Sequence, residues 1–160
     1  MSTNNPLFNS ETVSNQQNAA FQDKNFKSLI LDAELEVELA RAEYVETDAA
    51  HVRYEFAPSA YADVFESEEH GRMYFGYECE RAGRRLAAAR KRLTAACDAY
   101  LSAVRDDQKK AKNLFDAGFE CYGWKDSRTQ AAFKANEAAE KRTNVAERFV
   151  SHYRNTYTLF

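Results

Sequence analysis

The sequence predicts an all-α fold: an elongated antiparallel three-helix coiled-coil bundle, with room for a fourth, short helix and a flexible N-terminal arm. Three observations predict it. Small residues recur every seven positions in three separate segments. Only five glycines and two prolines punctuate 160 residues. Alanine, glutamate and arginine dominate, as in long helices and coiled coils.

Residues 1–20 read as the arm. Twelve of these twenty are Ser, Thr, Asn or Gln, too little apolar area to offset the entropy of ordering. Leu7 and Phe8, beside Pro6, are its one adhesive spot. The bundle then occupies residues 21–160.

The first helix is predicted over 24–56. Steps of four and three pass through Phe26, Ile30, Ala33, Val37, Ala40, Tyr44, Thr47, His51 and Tyr54. Leu31, Leu35 and Leu39 are expected to widen that apolar face. Pro58 cannot continue the helix, and Ala57 before it is pushed out of the α region. A short helix is expected from Ser59 to His70, with Gly71 ending it.

The second helix is predicted over 72–117. Its stripe is Phe75, Cys79, Ala82, Leu86, Ala89, Leu93, Ala96, Tyr100 and Ala103, an unbroken four-three alternation. A strict seven-residue repeat implies left-handed supercoiling. Alanine at every second seam position lets backbones approach closely, which favours an antiparallel partner. At Asp106-Asp107 and Lys110 the seam turns polar, and a break is expected there if anywhere. Gly118 is the expected terminator. Residues 118–126 form the one rich loop, and Ser127-x-x-Gln130 has the spacing of a capping box that opens the third helix. That helix is predicted over 127–156, with Ala132, Ala139, Ala146 and Tyr153 seven apart.

Charge is segregated although the net charge is only −3. Residues 32–70 hold twelve acidic residues against two basic ones, and residues 81–160 hold seventeen basic against nine acidic. Three readings follow. The acidic first helix lies along the basic second, its flanking charges fixing register. Alternatively Arg81, Arg84, Arg85, Arg90, Lys91 and Arg92 form an exposed stripe for phosphates, a nucleic-acid-binding reading. Aromatics for stacking bases are not interleaved there. In the third reading an acidic face, with Asp32, Glu36, Glu43 and Glu46 among its residues, meets a basic partner, as an inhibitor of a host or defence protein would.

Catalytic constellations are not encoded. Neither a GxxxxGK[ST] nor a GxGxxG loop is present, and no G-x-S-x-G elbow. His51, His70 and His152 fall on separate segments, and no Glu-x-x-His occurs. Glu66 and His70 alone supply at most two ligands, short of a zinc site. Cys79 reads as a small seam hydrophobe, Cys97 lies one residue off the seam, and Cys121 is the expected exposed thiol. Three cysteines without a CxxC suggest a reduced setting. No apolar run reaches the roughly 20 residues of a membrane span, and no secretory signal is expected.

The expected function is therefore non-enzymatic, with no cofactor and no metal. The chain reads as a protein-interaction or assembly component, self-associating or docking on a larger complex, in the cytoplasm or within a virion. A phage or virion accessory protein is a suitable context. Candidate contacts are the arm (Leu7, Phe8), the loop (Phe119, Tyr122, Trp124) and the C-terminal Tyr157, Leu159 and Phe160. Trp and Tyr dominate binding hot spots. The loop aromatics read first as a cap on the end of the bundle, with Trp124 over the helix ends, and second as a hot spot; the C-terminal ones either pack back on the bundle or insert into a neighbour.

Overall fold

The structure is a computed structural model; it describes the backbone of residues 6–157 and the side chains of residues 18–157. Among the described residues every regular element is helical. Helix α1 spans Pro6–Phe56, a 3-10 turn spans Pro58–Tyr61, α2 spans Glu68–Tyr122 and α3 spans Ser127–Tyr157.

The boundaries follow from local chemistry. Pro6 suits a first helical position, because the amide hydrogen it lacks has no partner there and its φ is already helical. Residues 6–20, expected as part of a flexible arm, are helical instead, and residues 1–5 lie outside the described residues. Asn, Ser and Gln cost only tenths of a kcal/mol each in a helix, about 0.7 at most, and extending an existing helix needs no new nucleus. Helix α1 stops at Phe56 because Ala57, ahead of Pro58, sits at φ −147° and ψ 60°. The expected helix over 59–70 is only the 3-10 turn. Helix α2 starts earlier than Gly71 because Ser67 Oγ accepts the His70 amide at 3.1 Å, while Glu68 and Glu69 complement its positive end.

Gly71 therefore lies inside α2. The Tyr54 ring occupies the place its Cβ would take. Gly118 likewise lies inside α2, which ends instead at Gly123, whose φ of 71° is the left-handed conformation that glycine adopts freely. Helix α2 runs unbroken through Asp106 and Asp107. At α3 the cap is Asp126 rather than Ser127. Asp126 Oδ1 accepts the Arg128 amide at 2.9 Å, and Gln130 turns its side chain toward the Trp124 carbonyl at 3.4 Å.

The chain forms two compact units: Leu31–Ala95, and Met1–Ile30 together with Ala96–Phe160. The first is built from two helix segments. Ala33, Val37, Tyr54, Ala82, Ala89 and Leu93 are its buried apolar residues. Glu36 pairs with Arg92 at 2.8 Å and Glu43 with Arg85 at 2.6 Å. Seven residues up α1 are thus matched by seven residues down α2. At its end, Tyr54 meets the rings of Tyr61, Phe65 and Phe75 at 5.4, 5.8 and 5.0 Å, and donates to the Glu68 carbonyl at 2.8 Å.

The second unit draws on all three helices. Its buried residues include Ile30, Cys97, Tyr100, Leu101, Val104, Ala146, Val150 and Tyr153. Asp98 pairs with Arg154 and Arg105 with Glu147, at 2.6 and 2.7 Å. Here seven residues up α2 are matched by seven down α3. Arg142 binds Asp23 at 2.7 Å and Asp107 at 2.8 Å, so the polar step in the α2 seam exists to receive an arginine. Thr129, fully buried, donates to the Gly118 carbonyl at 2.9 Å.

Candidate functional site

A run of exposed large apolar side chains lies on α1 within Leu31–Ala95. The seam that faces α2 there includes Ala33, Val37 and Tyr54, all buried. Five residues further along runs a second alternation of four and three: Leu31, Leu35, Glu38, Ala42, Val45, Ala49, Val52 and Phe56. Five residues rotate the face by about 140° at 3.6 residues per turn. The large apolar members of this second stripe, with the neighbouring Leu39, are 46–87% exposed. Leu31, Leu35 and Leu39 therefore do not widen the face toward α2; they point the other way.

This outer face has its own polar frame. A shallow depression along it is lined by Glu38, Arg41, Ala42, Val45, Glu46, Ala49 and Arg53. Alanines 42 and 49 are seven apart and leave the floor low. Among the described residues Glu38, Arg41, Glu46 and Arg53 form no ion pair. The inner charges behave differently, since Glu36 and Glu43 are taken up by Arg92 and Arg85. Val45, Val52 and Phe56 were not singled out from the sequence, although the heptad step that locates them is written there.

The residues singled out from the sequence are scattered. Of the basic stripe, Arg81 pairs with Glu78 and Arg84 with Glu80 along α2, and Arg85 and Arg92 pair with α1. Arg90 and Lys91 are exposed and form no ion pair among the described residues. Of the acidic face, Glu36 and Glu43 are engaged, while Asp32 and Glu46 stay exposed.

Phe119 and Tyr122, expected in a loop, lie in the last turn of α2, and Trp124 lies between α2 and α3. Trp124 meets the rings of Phe133 and Phe115 edge-on at 5.1 and 6.3 Å, and Phe119 lies 6.1 Å from Phe115. The Arg128 guanidinium stacks 3.6 Å over Tyr122. Packing holds these side chains, yet Phe119, Tyr122 and Trp124 remain about half exposed. Tyr157, a candidate contact with packing back on the bundle as its alternative, is buried and stacked on Tyr153 at 6.4 Å; its place seven residues beyond Val150 carries it inward. Leu159 and Phe160 lie outside the described residues, as do the side chains of Leu7 and Phe8.

Burial raises the Cys97 and Cys79 thiols above their ordinary value, which keeps them protonated and poor nucleophiles. For Cys79 the desolvation is reinforced by the nearby Asp48 carboxylate. Cys121 is exposed. His51 lies 3.6 Å from Glu55, and among the described residues no group of three or more His, Cys, Asp or Glu side chains gathers to hold a metal ion. Among the described residues no helix is long and apolar enough to cross a membrane. No protein-family model, no curated protein and no solved structure matches this chain.

Proposed function

We propose that this chain is a non-enzymatic protein-interaction or assembly component that docks through a helix face. The observation that carries the reading is the outer stripe of α1, where large apolar side chains stand in solvent at heptad spacing. Contiguous exposed apolar surface framed by polar residues marks interaction sites in soluble proteins. Heptad spacing further suits a helical partner, because knobs at alternating steps fit the holes of a facing helix. The matched seven-residue steps of the ion pairs support reading both units as antiparallel coiled-coil packing, so the outer stripe continues a pattern the chain already uses inside. An accessory or structural component of a phage or virion is one setting for such a chain.

The basic stripe offers less to a nucleic acid, since Arg81, Arg84, Arg85 and Arg92 are engaged by carboxylates. Native affinity purification with mass spectrometry, alongside light scattering of the purified chain, tests the reading. A partner or self-association sensitive to Leu35→Asp supports it. A strict monomer that recovers no partner overturns it.

A further inference from the structure

We propose that the outer face of α1 pairs with the same face of a second copy of this chain. The two α1 segments run antiparallel about a two-fold axis that passes between Val45 and Glu46. This inference rests on the interaction reading above and supplies its surface and its occupant.

The argument is self-complementarity. An interface about a two-fold axis uses one patch twice, so each residue must suit the residue the symmetry places against it. Setting Ala42 against Ala49 of the second copy puts the two smallest seam residues together, where backbones can approach closely. The same register sets Glu38 opposite Arg53, Leu39 opposite Val52 and Leu35 opposite Phe56, and at the axis it sets Val45 against the aliphatic stem of Glu46 with the Glu46 carboxylate directed to the solvent edge, each pair occurring twice. The depression on α1 extends from Glu38 to Arg53 and is therefore centred on the same axis. Glu38 and Arg53 form no ion pair within the chain among the described residues, and each finds its opposite charge only across the axis. A parallel arrangement would set Glu38 on Glu38 and Arg53 on Arg53, a like-charge penalty twice over. Charge thus selects the antiparallel form. The second copy supplies the helix that Leu31–Ala95, built from two segments, lacks.

Cross-linking tests the register directly. In a Cys121→Ser background, which removes the exposed native thiol, chains carrying Ala42→Cys and Ala49→Cys are mixed and oxidised. The mixed 42–49 disulfide should dominate over 42–42 and 49–49 products. Light scattering on the unmodified chain should give twice 18.3 kDa. Val45→Asp, at an exposed position, should yield a monomer with unchanged helical circular dichroism. Glu38→Arg and Arg53→Glu should each weaken dimerisation by on the order of tenfold or more, and the two together should restore it. A dimer that survives Val45→Asp, or that joins 42 to 42, overturns this pairing and leaves the interaction reading standing. A monomer that captures a different protein through this face does the same. A monomer that recovers no partner overturns both.

Discussion

Leu31–Ala95 and the remainder of the chain bury their heptad seams with different numbers of helices. In Met1–Ile30 with Ala96–Phe160, segments of all three helices contribute, and Tyr100 is closed over by Phe26 at 5.6 Å and Phe149 at 6.3 Å. In Leu31–Ala95 two segments contribute, and Leu31, Leu35, Leu39, Val45, Val52 and Phe56 are left in solvent. The difference does not come from weaker patterning, because α1 carries two heptad stripes there. It comes from the count of helices. A helix apolar on two faces needs two neighbours, and within its own unit α1 has one.

Tyr54 is the aromatic anchor of the two-helix unit, and its removal has the largest expected effect. Tyr54→Ala empties a site ringed by Tyr61, Phe65 and Phe75 and deletes the bond to the Glu68 carbonyl. The expected cost is about 3–5 kcal/mol, the range for truncating a buried aromatic. Gly71→Ala should cost less, about 1–3 kcal/mol, because its Cβ forces the Tyr54 ring aside. Hydrogen exchange should show both losses in residues 31–95 before the rest of the chain. Uniform loss of protection would erase the distinction between the two units.

The three-helix unit has a polar counterpart. Arg142 is held by Asp23 and Asp107, with its side chain 17% exposed. The bonds to Asp23 lead in raising the guanidinium above its ordinary value. Arg142→Leu leaves two carboxylates facing each other without their cation. The expected loss is on the order of 2 kcal/mol, below the fully buried case because water still reaches the group. A double-mutant cycle with Asp23→Ala should show strong coupling. Additive effects would mean that the network does not tie α1 to α3.

Much of this architecture was legible because period fixes face. Ala82, Ala89, Leu93 and Tyr100 sit on the α2 seam and are buried, as Ala132, Ala146 and Tyr153 are on α3. Pro58 and Ser127 mark real boundaries to within a residue. What the pattern could not supply was which stripe the chain itself covers. Leu31, Leu35 and Leu39 are as apolar as Ile30 and Val37, and only the position of α2 separates them. Glycines misled for a related reason. Gly71 and Gly118 read as terminators, whereas the first makes room for a tyrosine ring and the second receives the Thr129 hydroxyl on its carbonyl. The polar step at Asp107 was visible, but its partner Arg142 lies 35 residues away, beyond any local rule.

Surface ion pairs should separate register from stability. Glu43 and Arg85 meet at 2.6 Å with side chains 33% and 56% exposed. Removing either should cost about 0–1 kcal/mol, less at high salt. Charge reversal at both together should restore whatever is lost. A larger, salt-insensitive cost would show that this pair does more for Leu31–Ala95 than align its helices.

The smallest expected effect is a pH dependence at the start of α3. The side-chain bonds from Arg128 hold the Asp126 carboxyl below its ordinary value, and the Arg128 amide adds to this. A carboxyl lowered in the folded state contributes stability that is present above its unfolded value and lost as pH falls through the folded one. The loss therefore falls below about pH 4. Asp126→Asn keeps a side-chain oxygen for the cap but removes the charge. Its stability should fall less steeply than that of the unmodified chain when denaturation is followed from pH 5 downward. Because α3 belongs to the three-helix unit, the difference should register in the protection of residues 127–157 and leave residues 31–95 unchanged. Parallel curves for the two proteins would mean that the Asp126–Arg128 contact contributes only as a cap, and not through its charge.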